Sequence, residues 1–448
     1  MQLSQRMATA KSVSFITMGC AKNEVDTSRM RSHLLKAGYS VSEDPEAADA
    51  VIVNTCSFIQ AATEESIEAI LEVADFDSVR SGRAHLVVSG CMPARYGDDL
   101  ASEITEAGAF VPCSKEDDIV AVMDGLFGLD RAELGYLDAA SDVVIDPAPV
   151  SSYVKISDGC NRFCSFCSIP YIRGRYRSFE YDEIEAQIDD LVRRGSREIV
   201  LIAQDTGRWG DDFEEPRTLA QLVSDLADRF PDIWLRLMYI QPEGVTDELI
   251  EAIASHDNVC DYFDIPFQHV NPRLLKLMRR KGSVGEFDRL VQRIRARIPD
   301  AALRTTFIAG FPGETEEEFE ELLDYVSECD LDYIGVFPYS REEGTHAFEL
   351  PGQIDEDEKH DRAQRLRELA DAVCASRISS RVGSRRRVLV CGEEEDGQVF
   401  GRAMCQAPDV DGVTYLDEGN PGDVVEALIE ETLLYEMEGS VSPCNDAQ

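Results

Sequence analysis

Three cysteines crowd one short segment, Ser157-Asp-Gly-Cys160-Asn-Arg-Phe-Cys164-Ser-Phe-Cys167-Ser-Ile-Pro170, with the spacing C-x3-C-x2-C. A four-iron cluster ordinarily takes four thiolates, so a loop that offers three leaves one iron free to bind something else. The alternative is a zinc site with a remote fourth ligand. Zinc loops favour paired C-x2-C or C-x4-C elements, however, and no second pair completes one here. The chain holds 13 cysteines but no export signal and no apolar stretch approaching the ~20 residues that span a membrane. A reducing, cytoplasmic setting with free or metal-bound thiols is therefore expected, rather than a disulfide framework.

A second trio lies in the first third of the chain. The runs Val13-Ser-Phe-Ile-Thr-Met-Gly-Cys20, Val51-Ile-Val-Asn-Thr-Cys56 and Leu86-Val-Val-Ser-Gly-Cys91 each end in cysteine, and the three cysteines are 36 and 35 residues apart. Helix-like segments around Asp26 to Ala37 and Ala61 to Ala74 separate them, so the region reads as strand–helix units building a parallel sheet. Ligands gather at the carboxyl ends of such strands, and three cysteines placed there can converge on one point. Cys113, after Phe110-Val-Pro, has no comparable frame and reads first as a small buried hydrophobe.

Over the whole 448 residues, a prior of roughly 150 residues per domain predicts about three domains. Residues 131–150 lack periodicity and read as a linker between a first domain, 11–130, and a second, 151–378. Six strand-like runs in the second domain, Tyr153 to Ser157, Glu198 to Ala203, Trp234 to Ile240, Tyr262 to Phe267, Leu303 to Ala309 and Tyr333 to Tyr339, alternate with helical patterns. Parallel strands with right-handed crossovers follow, in a partial (β/α)6 version of the eight-unit barrel whose working face is the strand C-termini. A charged helix from about Glu356 to Ser379 leads into short strands over 381–442, a small all-β barrel. The fold class is thus α/β with an appended β-barrel.

The net charge is −42, and from Arg381 onward five arginines face fifteen acidic residues. Stable nucleic-acid binding, which needs cations on the phosphates, is not expected, and a basic partner fits better. An acidic coat of the kind used in salty cytoplasm would give the same balance.

The loop at Cys160, following the first strand of a partial barrel, resembles the signature of the radical S-adenosylmethionine superfamily. The resemblance implies that S-adenosylmethionine chelates the open iron and yields a 5′-deoxyadenosyl radical, with Cys160, Cys164 and Cys167 as the catalytic ligands. Strand ends then become candidate cofactor contacts: Gln204 and Asp205, Gln268 and His269, and Gly310 to Glu314. In Ile308-Ala-Gly-Phe-Pro-Gly-Glu314 the glycines would admit close backbone approach to the adenine portion, or simply turn a strand into a helix. His269 reads equally as a proton carrier or a hydrogen-bonded structural residue. Arg173, Arg175 and Arg177 read as substrate contacts or as surface partners of the many acids.

With the amino-terminal trio and a terminal TRAM-like barrel added, the whole chain resembles the methylthiotransferases. In that family the first trio binds a second four-iron cluster, which carries over to Cys20 in Met-Gly-Cys-Ala-Lys-Asn, Cys56 in Asn-Thr-Cys-Ser-Phe-Ile and Cys91 in Ser-Gly-Cys-Met-Pro. The resemblance therefore implies two [4Fe-4S] clusters and S-adenosylmethionine, together with a sulfur donor and an electron donor. The wording of Gly19-Cys-Ala-Lys-Asn23, Ile202-Ala-Gln-Asp-Thr206, Phe263-Asp-Ile-Pro-Phe-Gln-His269 and Tyr339-Ser-Arg-Glu-Glu-Gly-Thr345 is similar to the RimO type, which modifies an aspartate β-carbon of small-subunit ribosomal protein twelve. The rival within the family modifies an adenosine of transfer RNA. A non-catalytic iron–sulfur carrier would share the clusters without S-adenosylmethionine.

Overall fold

The computed structural model describes residues 11–130 and 147–441; most of the expected linker, Cys444 and the residue 442 boundary lie outside them. Five parallel strands open the chain: β1 (Ser12–Thr17), β2 (Ser40–Val41), β3 (Ala50–Thr55), β4 (His85–Gly90) and β5 (Ala107–Pro112), in the order β2-β1-β3-β4-β5. β3 is central, and all six of its residues are buried, because helices cover both faces of a parallel sheet and leave a central strand no polar side. The helices Ala21–Lys36 and Gln60–Ala74 sit close to where the periodicity predicts them. β2 and β5 extend the sheet beyond the three strands expected from the apolar runs.

The central domain contains β6 (Ser151–Lys155), β7 (Ser157–Asp158), β8 (Arg177–Ser178), β9 (Glu198–Ile202), β10 (Trp234–Leu237), β11 (Tyr262–Asp264), β12 (Ala302–Ala309) and β13 (Tyr333–Pro338). The six strands other than β7 and β8 fall in the six expected runs, although β10 and β11 stop at Leu237 and Asp264, short of the expected Ile240 and Phe267; they form two parallel three-stranded sheets, β10-β9-β6 and β11-β12-β13. A bridge from Leu235 to Val259 joins them. Outward residues such as Ile199, Leu201, Leu235 and Leu237 pack under the helices, whereas Val200, Ile202, Trp234 and Tyr262 face inward, as the two-residue period of a strand dictates. The helix Leu219–Arg229 is not among those expected from periodicity. Its start carries a capping box between Thr218 and Gln221, a signature that was available in the residues.

β14 (Arg385–Glu393), β15 (Val399–Ala403), β16 (Thr414–Leu416), β17 (Val424–Leu433) and β18 (Glu436–Val441) close the expected terminal barrel in the order β14-β15-β16-β18-β17. Leu433 ends β17 rather than starting the last strand. The loop between β15 and β16 enters the interior of the central domain. The Met404 carbonyl accepts from Arg236 Nη1 (2.7 Å), and Asp411 is bound by Tyr262 and by Arg304 Nε (3.3 Å). Glu198, fully buried, accepts from Arg236 Nε (2.7 Å), Ser151 Oγ (2.7 Å) and Arg402. This small barrel thus forms the floor of the larger one. No helix among the described residues is long and apolar enough to cross a membrane.

Candidate active site between two cysteine trios

β1, β3 and β4 pair in register, with Thr17 opposite Asn54 and Thr55 opposite Gly90. Cys56 and Cys91 therefore leave neighbouring strands at the same level, and Cys20 follows β1 by three residues. Two glycines make the convergence possible. Gly19 (φ +94°) lies so close to Cys56 that a Cβ would stand 2.5 Å from the Cys56 Cβ, and Gly90 (φ +96°) would place one 2.3 Å from Asn54 Oδ1. Asn23 ties the turns together by donating to the carbonyls of Met18 (2.8 Å) and Thr55 (2.9 Å).

The thiols sense one another. Burial, reinforced by Cys91 and Cys20, pushes the Cys56 thiol up to about 11. Cys91 is held down at about 7 by its hydrogen bond with Cys113 and by the Arg173 guanidinium, against burial. Cys113 sits beside Cys91 and Ile172 in a small apolar cluster, where its Sγ donates to the Ile172 carbonyl (3.6 Å). It is the buried small residue expected, and it stands beside Cys91 of the trio.

The second trio hangs from a loop whose ends are fastened by the β7–β8 ladder, Ser157 opposite Ser178 and Asp158 opposite Arg177. Gly159 (φ +75°) passes 2.3 Å, as a would-be Cβ, from the Arg175 carbonyl, and Phe163 adopts φ +48° to bend the chain between Cys160 and Cys164. The Cys160 amide donates to the Gly174 carbonyl (3.2 Å), and the Ser165 amide to that of Met278 (3.1 Å). Burial raises Cys160, against the Arg162 amide hydrogen bond, and burial with the neighbouring Cys164 raises Cys167. Among the described residues no three Cys, His, Asp or Glu side chains are close enough to hold one metal ion. Three free thiols in each set match the cysteine ligation of a four-iron cluster, whose thiolates reach separate irons.

Arg173 joins the two trios. Six residues beyond Cys167, its guanidinium crosses into the first domain and donates to Asp26 (2.8 Å) and Asn23 Oδ1 (2.9 Å), with Cys91 Sγ at 3.9 Å. Asp26 also binds Lys155 from β6. Both readings of Arg173 as a substrate contact or a surface partner are thereby replaced: its side chain is 2% exposed and staples the domains. Arg175 and Arg177 stack over Phe163 and Phe179, 4.8 and 5.1 Å from the ring centroids. Nearby Glu116 is buried against Asp26, and burial first, with the Asp26 charge, pushes its carboxyl up to about 9. A second staple runs from the loop after β13. Glu342 accepts from Arg95 (2.8 Å) and from the Gln60 amide (2.7 Å), capping a helix whose own preceding residue, Ile59, offers no side-chain cap.

Of the expected cofactor contacts, Gln204 has a buried Oε1 with no partner. Asp205 is engaged by Arg162 Nε (2.5 Å); burial raises its carboxyl, with Arg162 opposing. Gly310 (φ +76°) lies under Lys359, whose Cγ would be 2.6 Å from an added Cβ. Both carboxylate oxygens of Glu314 accept from the Gly310 amide (3.1 Å each), and Arg362 adds a bond of 2.9 Å. The strand-to-helix turn is thus built around protein contacts. His269 is fully buried, its Nδ1 accepting from the Asn271 amide (3.0 Å), while its Nε2 makes no hydrogen bond and lies 3.6 Å from a Glu314 carboxylate oxygen. Cys260, Cys374 and Cys405 are core residues.

Residues 154–326 match the radical SAM superfamily, 12–111 the uncharacterized protein family UPF0004 and 382–441 the TRAM domain. The ribosomal protein uS12 methylthiotransferase RimO of Syntrophus aciditrophicus is 40% identical over 433 residues, 93% of this chain and 95% of that one. Its namesake from Geobacter sulfurreducens is 39% identical over 448 residues, 97% and 100% of the two chains. The chain belongs to the RimO methylthiotransferase family. As a RimO-family member it is a radical SAM enzyme, with iron–sulfur and S-adenosylmethionine chemistry, and the carrier and scaffold readings fall away. The radical S-adenosylmethionine methyltransferase TsrM from Kitasatospora setae, solved with cobalamin and a [4Fe-4S] cluster, shares the fold at 15% identity with a TM-score of 0.53, over 74% of this chain and 75% of that one.

Proposed function

We infer that this chain transfers a methylthio group to the β-carbon of an aspartate in small-subunit ribosomal protein uS12. Cys160, Cys164 and Cys167 hold the radical-generating four-iron cluster in residues 151–378, and Cys20, Cys56 and Cys91 hold a second in residues 11–130. The observation that carries this reading is the pair of cysteine trios facing one domain junction, stapled by Arg173 and Asp26. Bound there, the clusters and S-adenosylmethionine supply the radical that opens an unactivated C–H bond, and the sulfur and methyl group that replace the hydrogen.

The chain's own residues position and shield. Arg173 places positive charge beside Cys91, which favours the thiolate a cluster needs. Gln204, with its unpartnered oxygen, contacts S-adenosylmethionine, while Asp205, Gly310 and Glu314 brace that pocket through Arg162, Lys359 and Arg362. The acidic floor barrel, residues 381–442, attracts a basic ribosomal protein in the cytoplasm and repels nucleic acid.

The test is anaerobic reaction of the reconstituted protein with S-adenosylmethionine, a reductant and a sulfur source, offering uS12 and transfer RNA in parallel, read by mass spectrometry. Methylthio mass on an aspartyl peptide is expected. The same mass on an adenosine would transfer the mechanism to the other substrate, and absence of 5′-deoxyadenosine from every mixture would overturn the radical assignment.

A further inference from the structure

Three lysines are buried among the described residues: Lys22, Lys155 and Lys359. Two have carboxylate partners, Asp26 and Asp158 for Lys155 and Glu356 for Lys359. Lys22 has none among the described residues, although the chain carries 86 acidic residues from which one could have been placed. Its ammonium lies 2.9 Å from the centroid of the Tyr239 ring, and the residue keeps 9% of its surface exposed. A desolvated ammonium held only by a ring face leaves most of its hydrogen-bonding capacity unused.

The position is informative. Lys22 is two residues beyond Cys20, at the start of the helix Ala21–Lys36. Tyr239 lies just past the carboxyl end of β10, at φ +64°, and its amide donates to Asp264 Oδ2 (2.9 Å) at the end of β11. Asp264 also accepts from Arg304 (3.1 Å), so it is already committed to protein partners. Lys22 therefore spans from the element carrying the first trio to the functional face of the radical barrel. A target that serves both trios has to approach this junction.

We propose that Lys22 is a specificity-determining residue whose ammonium, seated between the Cys20 helix and Tyr239, receives the carboxylate of the target side chain. This rests on the aspartate-modifying reading above and deepens it. A charge-assisted hydrogen bond to the carboxylate fixes the adjacent β-carbon. An uncharged isostere such as asparagine leaves the ammonium desolvated and unpaired, a difference of about ten- to a hundredfold in affinity.

The experiment uses the cluster-reconstituted full chain and measures equilibrium binding of fluorescent uS12, and of uS12 with its target aspartate changed to asparagine, to wild type and Lys22→Met. Wild type is expected to prefer the aspartate form by about ten- to a hundredfold, and Lys22→Met to bind both forms alike. Iron content and cluster spectra report whether the variant is intact; if Lys22→Met loses its clusters, Lys22→Gln carries the same comparison. A variant that keeps the preference overturns the assignment. So does a defect confined to the KM for S-adenosylmethionine, which would make the received carboxylate that of the cofactor. Failure of the wild type to modify uS12 at all would instead remove the reading on which the assignment rests.

Discussion

Glu198→Gln is the perturbation whose effect the structure defines most fully. Burial alone would raise the Glu198 carboxyl, but the guanidiniums of Arg402 and Arg236 outweigh it and hold it down at about 2, from an ordinary 4.5. A shift of that size corresponds to about 3 kcal/mol of native-state stability. Because the folded value is depressed, that stability is present above pH 4.5 and disappears as pH falls through about 2. Replacing the carboxylate at pH 7 leaves two buried guanidiniums facing each other without a counter-charge, a loss of about 3–5 kcal/mol. Through Arg402 the Glu198 carboxylate docks the terminal barrel, so that barrel should detach first, its open population rising by about a hundredfold or more. Trp234 belongs to the apolar cluster packed against this barrel, so tryptophan emission through a urea titration reports the detachment, and limited proteolysis checks it. The variant should open at lower urea at pH 7, and the difference from wild type should shrink between pH 4.5 and pH 2. Superimposable titrations at pH 7, or a difference constant through the acid range, would refute the argument.

Cys164→Ala should abolish formation of 5′-deoxyadenosine, whereas Cys56→Ala should retain it and lose methylthio insertion; methylthiolation by the second variant would refute the role of the first trio. Gln204→Ala is expected to raise the KM for S-adenosylmethionine with little change in thermal midpoint, because its oxygen has no protein partner to lose. Gly310→Ala should destabilise the chain by more than about 1 kcal/mol, since φ is +76° and the new Cβ meets Lys359 at 2.6 Å; a calorimetric midpoint equal to wild type would contradict that packing.

The residues by themselves determined the sites' raw material. Cys20, Cys56 and Cys91 end consecutive apolar runs, and parallel strands must place such ends on one edge, so their convergence followed from periodicity. The six-strand order of the central domain followed likewise from alternation, and the C-x3-C-x2-C loop from its spacing alone. The helix Leu219–Arg229 had its capping box in plain view. What joins the parts was not legible, because it depends on charges far apart in sequence and on no local period. Arg173 meets Asp26 across 147 residues, Arg402 meets Glu198 across 204, and Glu342 caps the Gln60 helix across 282. An arginine in an acidic chain has many acids to choose from, and only the packed interior, where an unpaired charge is too unfavourable to persist, decides which one it takes. The same selection leaves Lys22 beside a ring rather than an acid, which the sequence Gly19-Cys-Ala-Lys-Asn23 could display but not explain.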